Sequence, residues 1–250
     1  MNVPVEVVEA AAAGRCVLFV GNRATLEAVT ESGGEFLGQR RLARKLGGRV
    51  SVREAVGKLL EGAPREEVLR RVAGFQGATE AEPGEFHRRA VRRFTRIYTT
   101  CRDALLEQAA QAEGIDYRVV YPGEPLPDFE APGLVITKLW GGFERPESVV
   151  LSDADQALHP LSAQSKALRA VFRKKVVFFV GYRPDEEDFD LLFDDLSEAY
   201  GGELPRVHLA VSQGRISDYH WQKWVWRGLL LFIADPSEAL EAVDAQVEAL

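Results

Sequence analysis

The hydrophobic pattern of the chain predicts short buried strands that alternate with helices. Uninterrupted apolar runs are typical of strands buried on both faces, and they occur at Cys16–Val20, Tyr117–Tyr121, Leu134–Leu139, Lys175–Val180, Val207–Val211 and Leu229–Ile233, with a weaker strand at Arg96–Thr100. Apolar residues three and four positions apart predict helices over Ala104–Ala112, Ala154–Phe172, Asp188–Tyr200 and Ser237–Leu250. This alternation predicts an α/β fold with a Rossmann-like, doubly wound and mostly parallel sheet.

Residues 32–94 interrupt the alternation. The segment has few β-branched runs, and glycine and proline separate four predicted helices, at Phe36–Leu46, Val52–Leu60, Arg65–Ala73 and Glu85–Phe94. We therefore expect a helical insertion that follows the first strand and caps the strand ends. The predicted division is a Rossmann-like domain over residues 1–31 and 95–250, with the insertion over residues 32–94.

The overall charge argues against nucleic acid and anionic membranes as partners. The 250 residues carry 31 Lys and Arg against 38 Asp and Glu, a net charge of -7, whereas both partners need a basic surface. One run is nevertheless basic, and it could bind nucleic acid or a phosphorylated ligand, or form salt bridges with the acidic stretch 185–195. The overall charge favours salt bridges for this run, which contains Arg88, Arg89, Arg92, Arg93 and Arg96.

The cysteines and the N-terminal residues bear on the cell compartment and on metals. Cys16 and Cys101 are the only cysteines, so a four-cysteine zinc site is impossible, and no histidine spacing predicts a metal. The first 13 residues hold two glutamates and no basic residue, unlike a signal peptide. No apolar stretch approaches the roughly 20 residues of a membrane span. We expect a cytoplasmic protein that does not interact with membranes.

Two of the three tryptophans near the C-terminal end, Trp221 and Trp224, could be core residues or an interface anchor. Trp221 and Trp224 are three positions apart, which puts them on one side of a helix, and Trp226 follows. Large aromatic side chains mostly bury, so the core is the favoured interpretation.

The first strand ends in a turn with features of a phosphate-binding loop. A buried strand followed by glycine is how a doubly wound sheet begins such a loop, and Gly21 follows Cys16–Val20. Asn22 and Arg23 stand where a second glycine is expected. Arg23 could turn outward and pair with phosphate, or its side chain could leave no room for a dinucleotide. The second alternative is favoured.

Four motifs together resemble the prokaryotic sirtuin-like family. They are Val17–Thr25, Tyr98–Asp103, Lys138–Gly141 and Val180–Tyr182, in the family's order and spacing, with Ser152–Asp155 as further support. The resemblance covers nearly the whole chain. It implies a Rossmann-type sheet that binds NAD at the carboxyl ends of its strands and cleaves the nicotinamide–ribose bond. Some members remove acyl groups from lysine, and many bacterial members hydrolyse NAD as antiviral effectors.

The resemblance also implies site residues, and the chain departs from several of them. Cys101 replaces the asparagine that positions ribose and water, Trp140 replaces the general-base histidine, and Asp103 is retained. Tryptophan cannot accept a proton at neutral pH, and a lost base costs about 10²–10⁴-fold in rate. The implied cofactor-binding positions are Gly21, Asn22, Arg23, Thr25, Thr99, Thr100, Gly181 and Arg183, of which Arg183 replaces a serine.

These departures favour a catalytically inactive pseudoenzyme. It would act through a protein partner or as a homo-oligomer, as a regulatory module in bacterial defence or signalling. One alternative is an NAD hydrolase that uses Cys101, Asp103 and Arg183, with His87 brought near Cys101 by folding. The other is a sensor in which Arg23 and Arg183 hold NAD or ADP-ribose without cleavage. Cys101 itself is expected to be a small buried residue.

Overall fold

A parallel seven-stranded sheet lies at the centre of the protein. The computed structural model describes residues 2–31, 33, 37, 39–48, 51–76, 81–159, 168, 175–184, 187–200, 207–211 and 216–250. The strands are β1 (Cys16–Val20), β2 (Arg96–Thr99), β3 (Tyr117–Val120), β4 (Leu134–Lys138), β5 (Val176–Val180), β6 (Val207–Val211) and β7 (Leu229–Ile233). Their pairings are all parallel, which confirms the predicted Rossmann-like α/β fold.

Helices cover both faces of the sheet. In the described ranges they are α1 (Val5–Ala12), α2 (Asn22–Glu31), α3 (Gln39–Lys45), α4 (Val52–Leu60), α5 (Arg65–Gln76), α6 (Glu85–Arg93), α7 (Leu105–Ala112), α8 (Asp153–Leu158), α9 (Glu187–Tyr200), α10 (Asp218–Trp226) and α11 (Pro236–Glu248). None of the helices within these ranges has both the length and the apolar character that a membrane span needs.

The strand order places β1 at the point where the winding reverses. The order across the sheet is β3-β4-β2-β1-β5-β6-β7, so β1 lies between β2 on one side and β5 on the other. In an open α/β sheet the connections diverge at such a point and leave a crevice at the carboxyl ends of the strands. The loops that follow β1, β2 and β5 therefore position any ligand site of this fold.

The core has one cluster on each face of the sheet, a third beside it, and a small fourth cluster between α2 and α7. On one face, α1, α6, α7 and α11 pack against the sheet, and on the other α9 and α10 do so. The third cluster joins α3, α4 and α5 with Val149 and Leu151. Thus α3–α5 have their own small core, while α6 shares the core of the sheet. The division at residues 31/32 and 94/95 stays a prediction.

Several predicted helices have different bounds in the structure. The single helix predicted over Ala154–Phe172 is wrong, because α8 ends at Leu158. Its C-cap, His159, precedes a proline, whose ring disfavours helical backbone in the residue before it. Most of the remaining predicted helix, and Phe36 and Gly38 of the first insertion helix, lie outside the described residues. The sequence analysis did not identify α1 or α2.

The three tryptophans do not share one environment. Trp224 is 0% exposed, and its indole N–H donates to the Pro184 carbonyl at 2.6 Å, so the prediction of a core residue is confirmed there. Trp221 is half-buried. Trp226, to which the core prediction did not extend, is 85% exposed. Two residues along a helix correspond to a rotation of about 200°, which carries Trp226 to the opposite side from Trp224.

Candidate functional site

The carboxyl end of β1 is closed by hydrogen bonds from two neighbouring strands. The Val20 carbonyl accepts the Tyr182 hydroxyl at 2.9 Å and the Thr99 hydroxyl at 3.1 Å. The Thr100 hydroxyl donates to the Tyr182 oxygen at 3.1 Å. All three side chains are buried. The folding thus brings the predicted binding residues Thr99 and Thr100 to the strand end, where their hydroxyls bond to protein atoms.

The turn after β1 packs directly against the loop after β5. The Gly21 amide donates to the Val180 carbonyl at 2.9 Å, and the Arg23 amide donates to the Gly181 carbonyl at 3.0 Å. A Cβ at Gly21 would lie 2.5 Å from the Gly181 oxygen, and Gly181 itself needs its positive φ of 81°. A pyrophosphate at such a turn takes backbone amides as donors. These two amides are already used, so this part of the turn does not fit a pyrophosphate.

The remaining predicted residues of the two loops flank this contact. Asn22 begins α2 and is half-buried, as is Arg183 in the loop after β5. Thr25 is buried in the first turns of α2, and its hydroxyl donates to Asp103 at 2.6 Å. The hydroxyl retained at the end of the first motif therefore joins α2 to the loop after β2.

Trp140 is buried under two arginines from different parts of the chain. It is 2% exposed, and its ring lies 5.5 Å from the guanidinium carbon of Arg53 and 5.2 Å from that of Arg102. Arg53 belongs to α4, whereas Arg102 follows β2 and donates to the Val150 carbonyl at 2.7 Å. The indole therefore fills the space between the helical insertion and the strand ends. Cation–π contacts stabilise such an arrangement.

Cys101 is a buried thiol. It is 5% exposed, and burial, with a smaller contribution from the charge of Asp103, raises its pKa to about 12. The nucleophilic form of cysteine is the thiolate, which is scarce at neutral pH under these conditions. The expectation of a small buried residue is confirmed.

Asp103 has a structural environment beside a buried histidine. Its carboxylate accepts the Leu105 amide at 3.1 Å in the first turn of α7, in addition to the Thr25 hydroxyl. Burial lowers the pKa of His87 to about 4, although the charge of Asp103 opposes this shift. His87 is therefore neutral at pH 7. Folding brings it into the electrostatic range of Asp103, and its buried Nδ1 has no hydrogen-bond partner within the described ranges.

Lys138, at the end of β4, is the centre of a buried ionic cluster. It is 0% exposed, and its Nζ lies 2.7 Å from Glu107 and 2.8 Å from Glu144. It also donates to the Asp103 carbonyl, and the Tyr121 hydroxyl donates to Glu144 at 3.0 Å. Burial raises the pKa of Glu107 to about 7, while the two carboxylates outweigh burial and raise that of Lys138. The motif lysine thus anchors the loops after β2 and β4.

A pocket of about 330 Å³ lies beside the first turn of α2. Arg23 is its one basic residue, and its Nε is buried without a hydrogen-bond partner among the described residues. Burial raises the pKa of Glu27. The carboxylates in the lining outnumber the guanidinium three to one, which disfavours a phosphate-bearing ligand. The lining residues are Arg23, Leu26, Glu27, Thr30, Glu31, Asp235 and Pro236.

The basic run pairs with acidic residues, although not with those that the sequence suggested. Arg89 and Arg93 on α6 both contact Asp244 of α11, at 3.2 and 2.7 Å, and Arg92 contacts Glu113 at 2.6 Å. Arg96 lies in β2 and donates to carbonyls of the 128–133 segment. The predicted partner stretch 185–195 is therefore wrong for these arginines. The sheet separates α9 from α6, which the sequence could not show.

Three residues outside the predicted site contribute to this region, and of these only Tyr182 stands in a sequence motif. Tyr182 closes the strand end, Arg53 covers Trp140, and Glu107 faces Lys138. Glu107 could have been noticed, because it lies four residues after Asp103, one helical turn away. The cover by Arg53 carries no comparable signal, since it comes from the insertion. Within the described residues no group of three or more His, Cys, Asp or Glu side chains could hold a metal ion.

Comparisons with known proteins agree with the fold. A family model described as "SIR2-like domain" matches residues 95–228. The crystal structure of a Sir2 homolog–NAD complex is 14% identical, with a TM-score of 0.51 over 99% of this chain and 95% of that chain. A Sir2 homologue mutant–ADP ribose complex is 15% identical, with a TM-score of 0.48 over 99% and 96%. No curated protein sequence matches the chain. At these identities the structural likeness is evidence of the fold alone.

Proposed function

We propose that this chain, which belongs to the SIR2-like domain family, is a catalytically silent member that works through contacts with protein. By the resemblance, its setting would be a bacterial defence or signalling assembly in the cytoplasm. The observation that carries the proposal is the burial of Trp140 between Arg53 and Arg102. The indole occupies the motif position of the general base, and its N–H can only donate.

The surroundings of Trp140 support the same conclusion. A substitute nucleophile would have to be Cys101, whose raised pKa keeps it protonated at neutral pH. Its position is also 5% exposed, so substrate has little access to the sulfur. Asp103 is held by Thr25 and Leu105 and serves to join α2 and α7. The retained Asp103 therefore has a structural role that accounts for it without catalysis.

A sensor of NAD or ADP-ribose that does not cleave its ligand is the second candidate. It is favoured by Arg23, which lines an open pocket and has a buried Nε without a partner among the described residues. A phosphate oxygen would satisfy that donor. Against it stand Glu27, Glu31 and Asp235 in the same lining, which repel phosphate. The silent domain is therefore the first choice.

The test combines nicotinamide release with thermal denaturation. We expect no release from NAD above the buffer background, under conditions in which an active NAD hydrolase of this family serves as a positive control. We also expect no stabilisation by NAD or ADP-ribose, whereas a ligand at about 100 times its Kd adds about 2.7 kcal/mol. Release that is lost in Cys101→Ala would establish a hydrolase instead. Stabilisation by ADP-ribose that is lost in Arg23→Ala would establish the sensor.

A further inference from the structure

The β7 side of the sheet carries an exposed apolar surface. It consists of residues from α10 and from β7, and we call it the edge surface. The exposed fractions are 71% for Tyr219, 46% for Val225, 85% for Trp226, 44% for Leu230 and 55% for Ile233. Leu231 packs in the cluster on the α10 face of the sheet and Phe232 in the cluster on the other face, so Leu230 lies on the face opposite to α10. The edge surface therefore has exposed large apolar side chains on both sides of one strand, and exposed apolar surface of this kind marks interaction sites.

The backbone of β7 offers a pairing site beside these side chains. In the described part of the chain β7 pairs only with β6, so its outer N–H and C=O groups face away from the sheet. Proteins usually protect such an edge with charge or proline, yet Leu229–Ile233 contains neither. The opposite edge, β3, does carry an exposed charge at Arg118. The lack of protection is thus specific to β7.

We propose that the edge surface binds a second copy of this chain, with β7 paired antiparallel to β7 of that copy around a two-fold axis. Such a pairing places every side chain of the strand in the seam twice, so a single charged residue in β7 would put two like charges there. With Leu231 at the centre, Leu229 lies opposite Ile233 and only apolar residues meet. The uncharged sequence of β7 is therefore suited to pairing with itself.

The aromatic residues of α10 fit the same two-fold arrangement. A short turn at Arg227 and Gly228 joins α10 to β7, and the helix packs beside the strand, so the two run in opposite directions. Trp226 therefore lies near the start of β7 and Tyr219 nearer its end. Antiparallel pairing sets the start of one β7 against the end of the other. Trp226 of each copy then approaches Tyr219 of the second copy, a favourable aromatic pair.

The exposed apolar area is a large part of what a stable dimer buries. A fully exposed aromatic side chain presents about 150–250 Å², so Trp226 at 85% and Tyr219 at 71% exposed offer roughly 300 Å². Together with the three partly exposed aliphatic residues, this is more than half of the roughly 800 Å² that each partner of a typical interface buries. This inference goes beyond the silent cleft and does not depend on it.

Sedimentation velocity over a concentration series tests the proposal. We expect a species of twice the 27.7 kDa chain mass that dissociates on dilution. Leu230→Lys and Trp226→Ala should each raise the dissociation constant of the dimer at least tenfold, since a few central residues contribute most of the binding energy of an interface. The control is Leu158→Lys on α8, where the leucine is 75% exposed and the dimer should be unaffected. Circular dichroism verifies that each variant is folded.

Cross-linking tests the orientation of the two copies. The native cysteines Cys16 and Cys101 are buried, so a short bismaleimide reports on introduced cysteines. A mixture of Tyr219→Cys and Trp226→Cys proteins should cross-link between unlike chains at least tenfold more than either protein alone, at a protein concentration raised to offset the weaker association expected of Trp226→Cys. A chain that is monomeric up to about 100 µM, or a dimer that survives both Leu230→Lys and Trp226→Ala, overturns the proposal. Preferential cross-linking between like chains does so as well.

Discussion

The buried cluster around Lys138 leads to a prediction of stability that depends on pH. Lys138→Met removes the cation while keeping an unbranched side chain of similar length. Glu107 then stays about nine-tenths buried, but it has no cation to balance its charge. Glu144 is less affected, because its side chain is 35% exposed and reaches water.

The size and the sign of the effect follow from Glu107. Its pKa is about 7 in the folded protein and about 4.3 in an unfolded chain. The folded chain therefore keeps a proton that the unfolded chain has released, and the stability from this group is lost as pH rises through that window. Without Lys138 the folded pKa rises further. At about pH 8.5 an uncompensated buried charge costs about 3–5 kcal/mol. At about pH 5.5 Glu107 is protonated, so the substitution costs only the hydrogen bonds that Lys138 made, about 1–2 kcal/mol.

Urea denaturation at both pH values, followed by tryptophan fluorescence, measures the free energy of unfolding. The matched control is Lys58→Met, which removes an exposed ion pair with Glu54. That change should cost less than about 0.5 kcal/mol at either pH, because exposed pairs contribute little. The reasoning is refuted if Lys138→Met costs the same at both pH values. It is also refuted if the cost at about pH 8.5 stays below about 1 kcal/mol.

Three further predictions concern the closed strand ends. Gly21→Ala would place a Cβ 2.5 Å from a backbone carbonyl and should cost about 1–3 kcal/mol. The control is Gly57→Ala on α4, where an added Cβ has no atom within 4 Å, and this change should stabilise the protein by roughly 0.5–1 kcal/mol. If Gly21→Ala and Gly57→Ala had the same effect on the free energy of unfolding in urea, the close packing at Gly21 would be contradicted. Trp140→Ala should cost about 3–5 kcal/mol, and a loss below about 1 kcal/mol in the same measurement would mean that the indole is not packed as described. The Cys101 thiol should react with a maleimide only after unfolding, because of its burial and its pKa of about 12; rapid labelling of the native protein would contradict this.

The local chain determined most of the sheet. Strands such as β1 and β5 are continuous apolar runs. A strand that is buried on both faces can be predicted from such a run alone, without knowledge of the strands beside it. Helix ends were less accurate where they depend on a single residue, as with His159 before Pro160. The helix α2 was not identified, although the turn that begins it was. Its apolar residues are few, and burial against its neighbours completes the pattern.

The sequence by itself determined the α/β class, the seven strands, and the motif positions at which Cys101 and Trp140 stand. These follow from periodicity and from residue identity, which are properties of neighbouring positions. Only the tertiary structure decided that Arg53 covers Trp140, that Glu107 faces Lys138, and that Arg93 pairs with Asp244. Those contacts join residues between 31 and 151 positions apart, and their partners are selected by packing across the sheet. Charge and hydrophobicity are local quantities, whereas burial and distance exist only after the chain has folded.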